Sequence, residues 1–127
     1  MSRKRFLHCS NPNCPHENQK QMSDWIREKL PDSNFGYMVS DLDFILQNYK
    51  TKKVMLIEVK TRKSDCKIWQ KKLFKNINNW LKKGIDENWQ YLGFHLIQFE
   101  NTCFKDGKSF FDYKEITENE LIKKLNF

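Results

Sequence analysis

The sequence predicts a single α/β domain, or its α+β variant. Apolar residues recur at helical spacing in three segments, while runs of alternating or continuous β-favouring residues fill the stretches between them. The order along the chain is helix, hairpin, helix, strand, strand, helix, which suits helices packed on a sheet. At 127 residues the chain is long enough for one domain with a real core and too short for two ordinary ones. Residues 1–17 read as a polar Cys/His-containing arm, and residues 18–127 as the domain.

From about Asn18 to Leu30, Met22, Trp25, Ile26 and Leu30 share helical spacing, and Pro31 ends the run. Asp32-Ser33-Asn34-Phe35-Gly36 is turn-like. Two strands follow, about Tyr37 to Leu46 and Val54 to Thr61, joined by a link short enough for an antiparallel hairpin. Ser64 is the expected N-cap of a long helix, with Asp65 in its first turn and Gly84 as its stop. Trp69, Leu73, Ile77, Trp80 and Leu81 define its expected core face, and Lys67, Lys71, Lys75 and Lys82 its solvated face. A third strand is expected near Gln90 to Glu100 and a fourth over Ser109 to Lys114, separated by the turn signal Asp106-Gly107. Thr117 and Glu120 have capping-box spacing and open a terminal helix through Leu121, Ile122 and Leu125.

Lys and Arg outnumber Asp and Glu by 23 to 16, a net charge of +7 that favours polyanionic partners, nucleic acid above all. No apolar run approaches the roughly 18–20 residues that span a bilayer, so no membrane partner is expected. The N-terminus is basic but lacks the apolar centre of a secretory leader. The four cysteines are not spaced as a small secreted disulfide scaffold, and reduced thiols in the cytoplasm are the default. Cys66 and Cys103 read as packed thiols and His95 as a hydrogen-bonded sheet residue.

The most informative stretch is Ser40 to Leu46 with Val54 to Lys60. Both segments are apolar except for Asp41, Asp43, Glu58 and Lys60. Period-two alternation puts Glu58 and Lys60 on one face, and Asp41 and Asp43 on one face of their own strand. In a hairpin centred near residue 50, Asp43 lies opposite or beside Glu58, close enough for one Mg²⁺ to touch both carboxylates. Hard oxygen donors favour Mg²⁺ or Mn²⁺ over zinc. An ordinary hairpin with a charged solvent face is the competing reading. Against it, Val54 and Leu56 share the side of Glu58 and Lys60, and buried charges require partners or a cation.

These residues resemble the PD-(D/E)xK nuclease superfamily, which includes restriction endonucleases, Holliday-junction resolvases and many phage nucleases. Asp43-Phe44-Ile45-Leu46 matches the first half of its motif and Glu58-Val59-Lys60 the second. Leu42 stands where a proline often precedes the first aspartate. Asp43 is favoured over Asp41 because three apolar residues follow it directly, and both stay open as ligands. The resemblance implies a restriction-endonuclease-like core, a mixed central sheet flanked by helices, and Mg²⁺- or Mn²⁺-dependent phosphodiester hydrolysis. It implies metal ligation by Asp43, Glu58 and the main-chain carbonyl of Val59, with Lys60 orienting the attacking water or offsetting transition-state charge. Gln70 falls between Ile77 and Leu81 on the helical wheel and is similar in position to a glutamine that superfamily members often carry beside the site. Its other reading is a polar residue at the helix edge. Superfamily enzymes often add an acidic residue from the first helix, for which Glu17 and Glu28 are the candidates.

Lys50, Lys52 and Lys53 in the hairpin link, with Arg62 and Lys63 after the motif, form the expected phosphate-binding rim. Tyr49 is a candidate for base stacking, though packing is the commoner state of an isolated aromatic. Cys9, Cys14 and His16, with His8 or Cys103, have the residue types of a structural zinc site, but no second tight pair completes the pattern. The expected function is a metal-dependent nuclease, an endonuclease on DNA by preference, dimeric by resemblance, with a Lys/Asn/Ile/Phe-rich composition and small size that suit a phage or mobile-element protein. The rivals are a non-catalytic nucleic-acid-binding or adaptor protein that keeps the fold, and a protein-interaction module.

Overall fold

A computed structural model describes residues 17–127. Cys9, Cys14, His16 and His8 lie outside the described residues. The chain divides between Asp41 and Leu42 into two units. In the first, helix α1 spans Glu17–Lys29. A 3-10 turn over Ser33–Phe35 follows, where the Asp32 carboxylate accepts the Asn34 N–H at 2.9 Å and Gly36 closes the turn at φ 82°. Only a residue tolerant of left-handed backbone ends a turn this way.

The second unit is a mixed five-stranded sheet in the order β1-β2-β3-β4-β5. Strands β1 (Phe44–Asn48) and β2 (Lys53–Lys60) form the expected antiparallel hairpin, with Phe44 opposite Ile57 and Asn48 opposite Lys53. The Asn48 side chain accepts the N–H groups of Lys50 and Thr51 and so closes the link. Helix α2 (Ile68–Gly84) carries the chain to β3 (Gln90–Phe99), which runs parallel to β2. Parallel neighbours need such a crossover, and a helix supplies it. β3 then pairs antiparallel with β4 (Ser109–Phe111), and β4 with β5 (Lys114–Glu115). Helix α3 (Glu118–Leu125) opens on the expected cap, with Thr117 Oγ1 accepting the Glu120 N–H at 3.1 Å and Glu120 returning the bond.

The sheet is covered on both sides. Met55, Ile57, Ile97, Phe111 and Ile116 pack with Leu121 of α3, while Leu96 and Cys66 pack with Phe74 of α2. Alternation along β2 therefore assigns Leu56, Glu58 and Lys60 to the α2 side. As an interior strand, β2 is buried on both faces, which its nearly continuous apolar sequence reflects.

Five local expectations are corrected. β1 begins at Phe44, so residues 37–43 are not strand and Asp41 does not share a strand face with Asp43. α2 begins at Ile68, because Ser64 turns back on itself: its N–H and hydroxyl both bond to Thr61 O, at 3.1 and 2.6 Å. The helix packs through Gln70, Phe74 and Ile77, while Trp80 stands 63% exposed and Trp69 lies at the margin of the contact. The expected fourth strand breaks into β4 and β5 around Asp112 and Tyr113, both left-handed (φ 50° and 69°), the signature of a type I′ hairpin turn. Cys103 is exposed, since it sits in the loop between β3 and β4.

A bulge in β3 shapes the middle of the sheet. Register passes from Val54↔Tyr91 to Leu56↔Phe94, so Met55 faces two residues, and Gly93 takes φ 99° there. Asn78 Oδ1 of α2 accepts the Phe94 N–H at 3.1 Å beside the bulge. His95 is the expected hydrogen-bonded sheet residue. Its Nδ1 lies 2.6 Å from Asp112 Oδ2 and its Nε2 2.7 Å from Leu92 O. Burial works against the charged ring, but these two acceptors prevail and raise its pKa.

The rotated helix face is testable. Phe74 is 3% exposed, and Phe74→Ala should cost about 3–5 kcal/mol in urea unfolding. Trp80→Ala should change stability by no more than about 0.5 kcal/mol. The reverse ranking would restore the face read from the sequence.

Candidate active site

Carrying the hairpin register one step past Phe44↔Ile57 sets Asp43 against Glu58. The contacts agree. The Asp43 N–H donates to Glu58 Oε1 at 3.3 Å, and the Val59 N–H donates to Asp43 Oδ2 at 2.8 Å. The Asp43 carboxylate thus stands where the carbonyl of a longer β1 would have paired with β2. In an extended strand the N–H and C=O of one residue point the same way, so the Val59 carbonyl also faces this end of β1.

Lys60 Nζ lies 3.3 Å from Glu58 Oε2. Glu58 is 4% exposed and Lys60 6%. Two residues apart on one strand, they share a face, which brings their heads together. A buried ion pair roughly balances desolvation against attraction, so it is a poor device for stability alone. Burial pushes the Glu58 pKa up to about 7, the Asp43 charge adds to the rise, and Lys60 opposes it. The Cys66 thiol stands close enough to feel both Lys60 and Glu58, and burial pushes its pKa up to about 11. It is therefore a neutral thiol at physiological pH, and the charged donors at this point are oxygens.

Gln70 is 3% exposed, on the packed side of α2, so the helix-edge alternative is set aside. Its Oε1 accepts the Lys67 N–H at 3.1 Å and secures the first turn of the helix. The expected basic rim is split. Arg62 and Lys63 come just after Lys60, with one residue between, in a tight turn with both residues left-handed (φ 55° and 60°), fixed by Arg62 N–H to Asn101 O at 2.7 Å. Lys50, Lys52 and Lys53 cluster at the other end of β2, about 16 Å from Glu58 at about 3.3 Å per residue. Of the acidic candidates in α1, Glu28 is exposed and Glu17 opens the helix.

No family model, curated protein or solved structure matches this chain. What the site can do therefore rests on its own chemistry. Among the described residues, no three His, Cys, Asp or Glu side chains gather at one point. The donor set is the Asp43 and Glu58 carboxylates with the Val59 carbonyl. Mg²⁺ commonly binds through one or two carboxylates and keeps several waters, so this set fits a hard divalent cation. The fit has an electrostatic side as well: a cation between Asp43 and Glu58 would offset the Asp43 charge, which adds to burial in raising the Glu58 pKa.

Sequence reasoning missed Tyr113 and Asp65. Asp65 Oδ1 accepts the Tyr113 hydroxyl at 3.0 Å, and Asp65 Oδ2 pairs with Lys71 Nζ at 3.0 Å. The Asp65–Tyr113 contact joins residues far apart in sequence, and no periodic pattern announces it.

The raised Glu58 pKa fixes a pH dependence. Between about pH 4.5 and 7 the folded chain holds a proton that the unfolded chain has released, so stability falls as pH rises through that window. Cation binding needs the ionised carboxylate and should strengthen across the upper part of it. The rise in melting temperature produced by Mn²⁺ should be larger at pH 8 than at pH 6. Asp43→Asn should raise the metal-free melting temperature at pH 8, by removing the repulsion, and should abolish the Mn²⁺ effect. An Mn²⁺ response that survives this substitution would exclude Asp43 as a ligand.

Proposed function

We propose that this protein is a metal-dependent nuclease that hydrolyses phosphodiester bonds in nucleic acid, with DNA as the favoured substrate and internal cleavage as the favoured mode, on a restriction-endonuclease-like core. One observation carries the reading: Asp43, immediately before β1, meets the buried pair Glu58–Lys60 of β2, the juxtaposition that the motif resemblance calls for. The mixed sheet, with α2 crossing between β2 and β3, is compatible with such a core. The net charge of +7 suits a polyanionic substrate.

Asp43, Glu58 and the Val59 carbonyl would hold Mg²⁺ or Mn²⁺, which when bound supplies a more acidic water and neutralises charge on the phosphate. The chain's own groups do the rest. Lys60, anchored to Glu58, offers an ammonium that offsets charge built up during in-line attack and can hold the attacking water. Gln70 secures the start of α2 and so keeps the wall of the site in place. Arg62 and Lys63 present two cations just past the motif, where phosphates flanking the scissile one would lie. Left-handed backbone at non-glycine residues costs about 1 kcal/mol or more each, and such strain collects at functional positions.

The test is cleavage of single-stranded, duplex and branched DNA, and of RNA, with Mg²⁺, Mn²⁺ or EDTA. Metal-dependent cutting should rise with pH through about 7, following Glu58. Asp43→Asn and Lys60→Ala should each lower the rate by about 10²–10³-fold while nucleic-acid binding persists. Salt-sensitive binding without cleavage under any of these conditions would point to a non-catalytic nucleic-acid-binding protein instead.

A further inference from the structure

The Tyr113 ring separates two clefts on the α2 side of the sheet. One, of about 310 Å³, includes Cys66, Lys71, Phe74, Phe94, Leu96 and Tyr113 in its lining. The other, of about 350 Å³, is lined by Lys63, Gln98, Phe99, Glu100, Phe110 and Tyr113. Lys71 Nζ lies 5.7 Å from the centre of the Tyr113 ring and lines the first cleft, while Tyr113 lines both. That second cleft adjoins the candidate site. Gln98 is the register partner of Lys60 on β3, and Lys63 lies three residues beyond Lys60. The Gln98 amide is held by Ser64 O at 3.0 Å.

Tyr113 is an unusual residue for its position. The second residue of a type I′ turn favours glycine, and an aromatic there adopts left-handed backbone against its steric preference. Burial does not explain it, because the side chain is 57% exposed. Its hydroxyl is nevertheless fixed by Asp65 and one face is set against Lys71, so the ring is an immobilised, solvent-facing platform.

We propose that this second cleft receives one unpaired base of a nucleic-acid strand, stacked on Tyr113, with Lys63 on the adjoining phosphate. The inference rests on the nuclease reading and adds that the substrate is single-stranded, or opened, next to the cut. The occupant follows from complementarity: an aromatic wall for the flat face of a base, a lysine for its phosphate, and a volume at the small end of the range for bound small molecules, too small for a duplex.

The test is fluorescence anisotropy with short labelled oligothymidylate, oligouridylate and an abasic strand of equal length, alongside the cleavage assay. Tyr113→Gly should fold at least as stably as wild type, since it relieves the turn, yet bind oligothymidylate about tenfold more weakly or worse. Tyr113→Phe should stay close to wild type, because stacking needs the ring alone. Wild type should bind the abasic strand as weakly as Tyr113→Gly does. A loss of affinity for both oligothymidylate and oligouridylate in Tyr113→Gly would support one shared stacking site. If Tyr113→Gly matches wild type on every strand while wild type still cleaves, this proposal falls and the nuclease reading stands. If wild type neither binds nor cleaves any strand, both fall.

Discussion

The buried Glu58–Lys60 pair on the interior strand β2 is the constraint around which the second unit is organised. A strand covered on both faces has no water to solvate a charge, so these two heads must answer each other. At 3.3 Å they do so only in part, because Asp43, just before the neighbouring strand, adds a second negative charge. The result is a carboxyl held near neutrality in its affinity for protons, at a place where apolar residues would have packed with less conflict. Sites that perform chemistry commonly tolerate such conflict.

Several features of the fold support that pair. The bulge at Gly93 lets β3 follow β2 past the change in register, and Asn78 reaches from α2 to satisfy the strand beside it. Gln70 spends its carbonyl on the first turn of the helix that roofs the site. On the other face, Met55 and Ile57 anchor β2 into the cluster completed by α3. The same strand thus presents an ordinary hydrophobic side to one helix and its charged side to the other.

Much of this was legible in the sequence, and what was not has physical reasons. The hairpin, the crossover helix, the third strand and the Thr117 cap follow from period, propensity and capping chemistry, which are local. The Asp43–Glu58 juxtaposition followed from register alone, because a short hairpin link leaves little freedom in pairing. Ser64 misled because a serine before a helix resembles a cap, and only the structure shows its hydroxyl turned back to Thr61. The face of α2 was misjudged because tryptophans carry great weight on a helical wheel. Burial instead went to Gln70 and Phe74, and Phe74 meets the sheet at Leu96 and Phe94. The I′ turn at Asp112–Tyr113 was hidden because neither residue is the glycine that usually marks one. The lysines of the link looked continuous with Arg62 and Lys63 in composition, whereas the length of β2 keeps them apart.

The parallel crossover between β2 and β3 also bears on the order of events during folding. Asp43 and Glu58 are joined by a hairpin that closes over a short stretch of chain, which is a fast and local step. Covering Glu58 from the other side waits for the chain to travel through α2 and return as β3, a slower non-local closure. The enclosure that raises the Glu58 pKa thus draws on one pairing that is near in the chain and one that is far.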